Sequence, residues 1–516
     1  MNSEMIKTGI AGLDNILLGG IPAGNVVLVQ GETGTGKTLF GLEFIYRGIT
    51  EFGEPGIIVV FETSAQKLIR DAATMGWDLD ELQRQKKLQI VFTSPEVLEQ
   101  EVRSADSLLL ETAAEIAARR IFIDVVGLLM QSSFIPPGQE VRSGYREVLQ
   151  QLIEGLNREN LTTMLSHETG SRPEAQNTLE SATFLSDTVI RLAIRARCGR
   201  VQRSIEIVKS RGQDYDAGQH TLQIHSSSGL EVFRRVQAPL RRNLAQPTSM
   251  ARHSVIGVDA LDALIGGGIF AGSTTMVVGV SGVGKTILGT QLLREGALRQ
   301  GQMGLLVSLD EHPAQIARNA ATLGLNLQEQ IDDGSVHILF ESPQELDVDR
   351  HFADIVRLVE KHDIQRLVID GMTSYSTALG DLSLYLDFFH ALVAFSKSRL
   401  MSTFFNYENP EFLGLSSFMP EFPVSSIVDN IVLLSLVELS NSLRRCITVV
   451  KARGSKHEFD SREYEIRQGG IHLKAQPVEL PAQLPFSSYS SILSRAPTRF
   501  RNPAAMSAGG SAQESK

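Results

Sequence analysis

One short stretch combines glycines, a lysine and a threonine at a spacing that suits phosphate binding. It reads Gly31-Glu-Thr-Gly-Thr-Gly-Lys37-Thr38 and fits the pattern G-x-x-x-x-G-K-[ST]. The glycines let the backbone curl, so that successive N–H groups converge on phosphate oxygens at the positive end of the following helix. The stretch therefore predicts a nucleotide phosphate loop. In it, Lys37 reaches the β- and γ-phosphates and the Thr38 hydroxyl completes a Mg²⁺ shell.

The same pattern occurs again at Gly279-Val-Ser-Gly-Val-Gly-Lys285-Thr286. An apolar run precedes each loop, and the helix-like segment 39–46 follows the first, which is the context that the motif requires. An ordinary glycine-rich turn is the alternative for one loop, but two chance matches in equivalent settings are not credible. The predicted ATP contacts in the loops are Gly31, Thr33, Gly34, Thr35, Gly36, Lys37, Thr38 and Leu39, and Gly279, Ser281, Gly282, Val283, Gly284, Lys285, Thr286 and Ile287.

The two loops belong to a duplicated domain. The loop lysines lie 248 positions apart (285 − 37), and Gly9–Asp14 and Arg70–Gly76 recur at the same offset. This period is too long for a solenoid. We therefore predict a first domain over residues 1–235, a linker over 236–251, a second domain over 252–474 and a flexible Pro- and Ser-rich tail over 475–516.

Short apolar runs alternate with helical segments in each copy, which predicts an α/β fold with a mainly parallel sheet covered by helices on both faces. Each copy also has two strand-like runs beyond that sheet. The predicted strands of the first copy are Val26–Val29, Ile57–Phe61, Leu88–Phe92, Ile121–Ile123 and Leu161–Leu165; the further runs are Val189–Leu192 and Ser204–Val208, and Ile431–Leu434 and Ile447–Val450.

An aspartate ends one apolar strand in each copy, at Asp124 and Asp370. Such an acid orients Mg²⁺ and its waters in phosphate-loop ATPases. A single aspartate after a strand is more often a turn or cap residue. Its recurrence 87 and 85 residues after the loop lysines (124 − 37 and 370 − 285) favours the metal-binding interpretation.

Hydrolysis also needs a carboxylate that orients or deprotonates the attacking water. The candidates follow another strand in each copy: Glu62, before Thr63, in the first, and Asp310 and Glu311 in the second. Surface carboxylates are common at strand ends, so spacing alone leaves a catalytic and a purely structural role equally open.

Composition excludes several classes of protein. The net charge of −10 argues against a chain whose main task is gripping nucleic acid. Two cysteines, Cys198 and Cys446, cannot form a disulfide framework, and their spacing is not of a metal-binding type. No apolar run is long enough for a membrane span, and the first ten residues do not resemble a signal peptide. We therefore expect a cytoplasmic protein.

The paired phosphate loops and strand-end acids, together with Val208–Gly212 and Val450–His457, resemble the KaiC family in order and spacing from residue 6 to about 474. That family comprises the tandem RecA-like ATPase and autokinase of the cyanobacterial circadian clock, and it also has members in organisms without a clock. The resemblance implies two RecA-like phosphate-loop NTPase domains, with ATP and Mg²⁺ as cofactors.

The resemblance also implies a homo-hexamer with ATP bound between subunits, and regulatory proteins that bind the C-terminal tail. The residues that would contact ATP across the subunit boundary are Arg203, Lys209 and Arg211 from the first copy, and Arg445, Lys451, Arg453, Gly454, Ser455 and His457 from the second. A cation supplied by a neighbour completes the site only on assembly. For either copy alone, a solvated basic turn is the simpler interpretation.

Family members phosphorylate themselves on adjacent hydroxyl residues in the second copy. The matching residues here are Ser425 and Ser426, while Ser186 stands alone at the equivalent place in the first copy. On composition alone, a serine pair before a strand is more often a turn element.

The strand-end acids depart from the family, which has paired glutamates. The first copy has Glu62 and Thr63, and the second has Asp310 and Glu311. Shortening Glu to Asp withdraws the carboxylate by about 1.5 Å, and such a displacement can lower a rate on the order of a hundredfold. We therefore expect hydrolysis mainly in the first copy, with Asp310 or Glu311 serving a weaker kinase step.

Two alternatives stay open at this stage. One is a DNA-dependent RecA-type ATPase, which would need basic loops facing a pore. The other is a scaffold without kinase activity, in which ATP only holds the hexamer together.

Overall fold

A computed structural model describes residues 4–61, 64–104, 107–131, 141–170, 173–197, 200–237, 253–408, 426–439 and 442–478. The chain divides into two compact units. The first comprises residues 1–237 with 347–354, and the second comprises residues 238–346 and 355–516. In the described ranges, no helix has both the length and the apolar character that a membrane crossing requires.

The first unit alternates strands and helices through most of its length. Its strands are β1 (Met5–Ile6), β2 (Ile21–Pro22), β3 (Val26–Gly31), β4 (Gly56–Val60), β5 (Leu88–Phe92), β6 (Arg120–Ile123), β7 (Thr162–Glu168), β8 (Thr188–Arg197), β9 (Arg200–Ser210), β10 (Gln219–His225) and β11 (Gly229–Phe233). Its helices are α1 (Leu13–Ile16), α2 (Lys37–Phe52), α3 (Ala65–Ala73), α4 (Leu79–Arg84), α5 (Pro95–Arg103), α6 (Leu108–Glu115), α7 (Val141–Arg158) and α8 (Pro173–Leu185), with a 3-10 helix at Val126–Gln131.

A nine-stranded sheet in the order β11-β10-β9-β8-β3-β7-β6-β4-β5 organises the first unit. The strands from β8 to β5 pair in parallel, and β8 to β11 form antiparallel hairpins. Both faces of the parallel part are buried. On one face Val27 packs in a cluster with Phe44 of α2, and on the other Leu28 packs with Leu152 of α7. The predicted α/β fold, with helices on both faces of the sheet, is confirmed.

The second unit repeats this arrangement. Its strands are β12 (His253–Ser254), β13 (Ile269–Phe270), β14 (Thr274–Gly279), β15 (Gly304–Ser308), β16 (Val336–Phe340), β17 (Arg366–Asp370), β18 (Ser402–Glu408), β19 (Asn430–Leu439), β20 (Ser442–Ala452), β21 (Arg462–Arg467) and β22 (Gly470–Pro477). Its helices are α9 (Asp259–Leu264), α10 (Lys285–Gln300), α11 (Pro313–Thr322), α12 (Leu327–Asp332), α13 (Val348–His362, whose first turns group with the first unit), α14 (Met372–Leu379) and α15 (Leu382–Ser398). The sheet order is β16-β15-β17-β18-β14-β19-β20-β21-β22.

The antiparallel part of each sheet is larger than the sequence predicts. The run predicted over 189–192 belongs to the ten-residue strand β8, and the further hairpins β10–β11 and β21–β22 were not predicted. Their sequences alternate polar and apolar residues and contain no apolar run. They cover only part of the core, so the apolar-run criterion misses them.

A buried arginine links the phosphate-loop helix to the acid-bearing strand in each unit. Arg120 begins β6 and donates to the backbone oxygen of Phe44 in α2 at 2.9 Å. Arg366 begins β17 and donates to the oxygen of Leu292 in α10 at 2.6 Å. A Cβ on Gly48 would lie 2.5 Å from the Arg120 side chain, so only glycine leaves room for the guanidinium there. These hydrogen bonds fix the distance between helix and strand.

The phosphate-loop helix is also tied to the unpredicted hairpin, through a different residue type in each unit. In the first unit the carboxylate of fully buried Glu43 accepts the Leu230 N–H at 2.7 Å. In the second unit the amide oxygen of Gln291, at the same offset (291 − 43 = 248), accepts the Ile471 N–H at 2.9 Å. Burial raises the pKa of Glu43 to about 7, opposed by the Leu230 hydrogen bond and by Arg47.

Because Glu43 is ionisable and Gln291 is not, we predict that the free energy of unfolding of the first unit depends on pH. Because its folded-state pKa is raised, Glu43 contributes most below its unfolded pKa near 4.5, and that contribution is lost as the pH rises through about 7. The free energy of unfolding of the Glu43→Gln variant, relative to that of the parent, should therefore increase between pH 5 and pH 8, by on the order of 3 kcal/mol at most. Urea unfolding followed by fluorescence of Trp77, the single tryptophan, which is buried in the α2 cluster, measures this.

Glu51→Gln is the matched control, since Glu51 pairs with the same Arg47 at the surface. It should show no such pH trend. A constant difference between Glu43→Gln and the parent from pH 5 to pH 8 would contradict the assigned pKa.

Candidate functional site

The first phosphate loop connects β3 to α2, as its sequence predicts. Gly34 and Gly36 have φ angles of +82° and +104°, which L side chains rarely adopt, and α2 begins directly after them at Lys37. The Lys37 Nζ donates to the backbone oxygens of Gly31 and Glu32 at 2.8 and 2.9 Å. The lysine is therefore folded over the loop that would hold the phosphates.

The second loop has the same geometry. Gly282 and Gly284 have φ angles of +78° and +102°, and the Lys285 Nζ donates to the oxygens of Gly279 and Val280, both at 2.9 Å. Burial lowers the pKa of Lys285, opposed by the nearby carboxylates Glu408, Asp370 and Asp310. Both loops therefore present a helix N-terminus and a cation to an anionic ligand.

The strand-end aspartates contact the loop threonines directly. Thr38 Oγ1 donates to Asp124 Oδ2 at 2.9 Å, and Thr286 Oγ1 donates to Asp370 Oδ2 at 2.6 Å. A hydroxyl beside a carboxylate supplies the oxygen ligands that Mg²⁺ prefers, so these residues fit the predicted metal. Burial raises the pKa of both aspartates, opposed by these same hydrogen bonds.

A second donor holds each aspartate, and the sequence analysis missed both. Ser166 Oγ donates to Asp124 Oδ1 at 2.5 Å, and Asn406 Nδ2 donates to Asp370 Oδ1 at 3.0 Å. They lie on β7 and β18, which separate the phosphate-loop strand from the acid strand in each sheet. The two residues lie 240 positions apart (406 − 166), not 248 as the loop lysines do, so the repeat offset of the loops does not align them; an alignment of β7 with β18 would have done so.

The predicted water-activating carboxylates are only partly described. Glu62 lies outside the described residues. In the second unit, Ser374 of α14 donates to the carboxylate of Asp310. Glu311 accepts from the side chain of Asn319 at 3.2 Å, and its pKa is raised by burial and by the charges of Asp370 and Asp310. The two acids are thus held side by side with different partners.

A cleft of about 570 Å³ joins these groups in the second unit. Its lining combines the phosphate loop and the acids with several apolar side chains. The first group includes Ser281, Gly282, Gly284, Lys285, Thr286, Ile287, Asp310, Glu311, Asp370, Ser374, Asn406 and Glu408, and the second includes Ile316, Ala320, Leu323, Leu325 and Ile466. Ile466 belongs to the unpredicted hairpin, so that hairpin also shapes the cleft. The cleft has the chemistry of a nucleoside triphosphate site.

Comparison with known proteins agrees with this chemistry. A family described as "ATPase: KaiC" matches residues 6–237 and 255–478. The chain belongs to the KaiC family. It is 33% identical to the circadian clock oscillator protein KaiC of Picosynechococcus sp. over 96% of its length and 93% of the relative's. It is 32% identical to KaiC of Prochlorococcus marinus over 97% of its length and 96% of the relative's, and 31% identical to KaiC 1 of Synechocystis sp. over 96% and 92%.

The KaiC-like basic segment of the first unit lies against a helix end. Lys209 Nζ donates to the backbone oxygens of Thr183 and Ser186 at 2.9 and 2.7 Å, and Arg211 donates to that of Phe184 at 3.0 Å. These oxygens lie at or just beyond the C-terminus of α8, where cations are favoured by the helix dipole.

The second unit holds its basic segment in a similar way. Lys451 Nζ donates to the oxygen of Val428 at 2.6 Å, and Arg453 donates to that of Ser426 at 3.0 Å. Arg453 also lies 3.8 Å from Asp429. Ser455 packs near Gly266. Of the described residues that line the second unit's cleft, none comes from this segment.

The remaining residues that were predicted to contact ATP across the subunit boundary lie in different environments. The Arg203 Nε and His457 Nε2 atoms are buried without a hydrogen-bond partner, whereas Arg445 is exposed on β20. The backbone turns at Gly454 with a φ of +83°. Of the two predicted phosphorylation sites, Ser425 lies outside the described residues, and Ser426 immediately precedes the segment that leads into β19.

Proposed function

We propose that this KaiC-family protein binds ATP with Mg²⁺ in both units and hydrolyses it mainly in the first. The observation that carries the proposal is the contact between loop threonine and strand-end aspartate, present in both units beside a complete phosphate loop. Bound Mg²⁺ would supply charge neutralisation at the β- and γ-phosphates. Thr38 with Asp124, and Thr286 with Asp370, would hold the ion.

We assign the orientation or deprotonation of water in the first unit to Glu62, which retains the full side-chain length of the family's acid. The second unit has a shorter acid, and Ser374 donates to its carboxylate. That hydrogen bond occupies one of the two carboxylate oxygens of Asp310, Oδ1. Glu311 lines the same cleft and has a raised pKa, which suits it to accept a proton.

Replacing Glu62 with Gln should lower ADP release from the first unit by about a hundredfold or more, since a positioned base contributes that much, while ATP binding is retained. ADP release and equilibrium ATP binding measure the two effects. Asp310→Asn is the comparison, and it should cost less of the total rate. A Glu62→Gln protein that hydrolyses ATP at the parental rate would place the base elsewhere.

We also propose that the protein assembles into a hexamer, and the basic segments support this. In a single chain Lys209 and Lys451 are held on backbone oxygens, outside the phosphate loops. A neighbouring subunit's γ-phosphate would offer these cations an anionic partner in place of a neutral carbonyl oxygen, which adds coulombic attraction between opposite charges to the hydrogen bond. ATP would then stabilise the ring by mass action.

Light scattering should therefore show a hexamer when ATP and Mg²⁺ are present. After ATP is removed, it should show that the hexamer dissociates. The Lys37→Ala/Lys285→Ala double variant should fail to assemble under either condition, because its phosphate loops lack the lysines. A parent protein that is monomeric with and without ATP would contradict shared sites.

We further propose that Ser425 and Ser426 are phosphorylated by the second site of the neighbouring subunit. Arg453 donates to the backbone oxygen of Ser426, so the acceptor segment and the basic segment are already in contact. A phosphate here would add roughly −1.5 to −2 charge beside that arginine and alter the contacts of the ring. Such a switch suits a clock component or a related signalling regulator, with protein partners at the tail.

Intact-mass analysis after incubation with ATP and Mg²⁺ should show added phosphate on the parent and none on the Ser425→Ala/Ser426→Ala variant. Ser186→Ala, at the equivalent place in the first unit, is the matched control and should keep the phosphate. Equal phosphate on parent and double variant, or none on either, would leave an ATPase without the kinase step.

A further inference from the structure

One carboxylate beside each phosphate loop has no role in the assignments above. Glu168 ends β7 and Glu408 ends β18, the strands that lie between the phosphate-loop strand and the acid strand. In the parallel register Glu168 is paired with Gly31, and Glu408 with Gly279, the first glycine of each loop. Both glutamates therefore lie at the edge of the sheet where the phosphates would bind.

Side-chain contacts place these glutamates at the phosphate loops. The Thr33 hydroxyl donates to the carboxylate of Glu168. Glu408 lines the same cleft as Lys285, Thr286 and Asp310. Burial lowers the pKa of Lys37, and Glu168 is the nearby charge that opposes this most, as Glu408 is for Lys285.

The simpler explanation is that each glutamate is only a fixed counter-ion for its loop lysine, but the geometry favours a different role. Lys37 and Lys285 direct their ammonium groups to backbone oxygens of their own loops. Both glutamates are exposed, so their carboxylates are accessible to a water molecule. A water donates two hydrogen bonds, and one acceptor alone leaves it free to rotate. Two acceptors in one cleft would fix a lone pair of the water toward the γ-phosphorus. Glu311, which follows β15, and Glu408, which ends β18, are such a pair.

We propose that Glu168 and Glu408 each accept a hydrogen bond from the attacking water and thereby orient it, an inference that rests on the proposed ATP hydrolysis. The water oxygen bonds to the γ-phosphorus as the bond to the β–γ bridging oxygen breaks. The bridging oxygen leaves with ADP. One water proton stays on the released phosphate. The other passes to solvent through the carboxylate assigned above as the base, Glu62 in the first unit and Glu311 in the second.

The Glu168→Gln/Glu408→Gln variant of the full chain tests this role. The amide keeps the size of the side chain and can still accept from Thr33, but it is a weaker acceptor for water and brings an NH₂ donor. We expect kcat for ADP release to fall about a hundredfold, as for other losses of reactant orientation. The Kd for ATP, measured by equilibrium binding, should change by less than about threefold.

Glu154→Gln/Glu360→Gln is the charge-matched control, since both residues are exposed and make only surface contacts. It should retain the parental kcat. Two outcomes would overturn this inference and leave the proposed ATP hydrolysis in place. One is a parental kcat in the Glu168→Gln/Glu408→Gln variant, and the other is a loss of ATP affinity as large as its loss of kcat. A parent that binds ATP and releases no ADP would overturn the proposed function, and the inference with it.

Discussion

A hydrogen bond between a loop threonine and a buried aspartate joins the two halves of each phosphate site. Thr38 lies at the start of α2, and Asp124 lies at the end of β6. In the sheet, β6 is two strands away from the phosphate-loop strand β3. The aspartate is buried and its charge is costly unless several donors surround it. Ser166 provides another of these donors. The position of the oxygens that we propose as metal ligands therefore depends on the strand order of the whole sheet.

The far end of the same helix–strand pair is held by a second buried polar contact. Arg120, at the start of the acid strand, donates to a backbone oxygen of α2 and is ion-paired with Glu54. Arg366 makes the equivalent contact in the second unit, with Gln302 in place of a carboxylate. Burial lowers the pKa of Arg366 to about 10, opposed by the charges of Asp262 and Glu295. Each acid-bearing strand is thus fixed to its helix at both of its own ends, by contacts to the start and to the middle of the helix.

The two units keep one framework and differ in the polar residues attached to it. The hairpin anchor is Glu43 in one and Gln291 in the other, and the second donor to the aspartate is Ser166 or Asn406. Ser374, which donates to Asp310, corresponds to Leu128 in the first unit (374 − 246 = 128). The exchanges at the hairpin anchor and at the second donor preserve the hydrogen bond, whereas Ser374 lies in an α-helix and Leu128 in a 3-10 helix. These exchanges change the charge and the hydrogen bonds at the site, which is the physical basis for the division of hydrolysis and phosphoryl transfer that we propose.

The sequence alone determined the duplication, the parallel α/β core and the phosphate loops, because these depend on local patterns: apolar runs, glycines that tolerate positive φ, and a lysine and threonine at a helix start. Only the tertiary structure decided which side chains surround those loops. Ser166, Glu168, Asn406 and Glu408 lie more than a hundred residues from their loops and reach them through strand order and register. The hairpins β10–β11 and β21–β22 also escaped prediction, since alternating polar residues signal a strand only weakly when one side is solvated. Long-range pairing is set by the sum of many weak contacts across the sheet, and no short stretch of sequence contains that information.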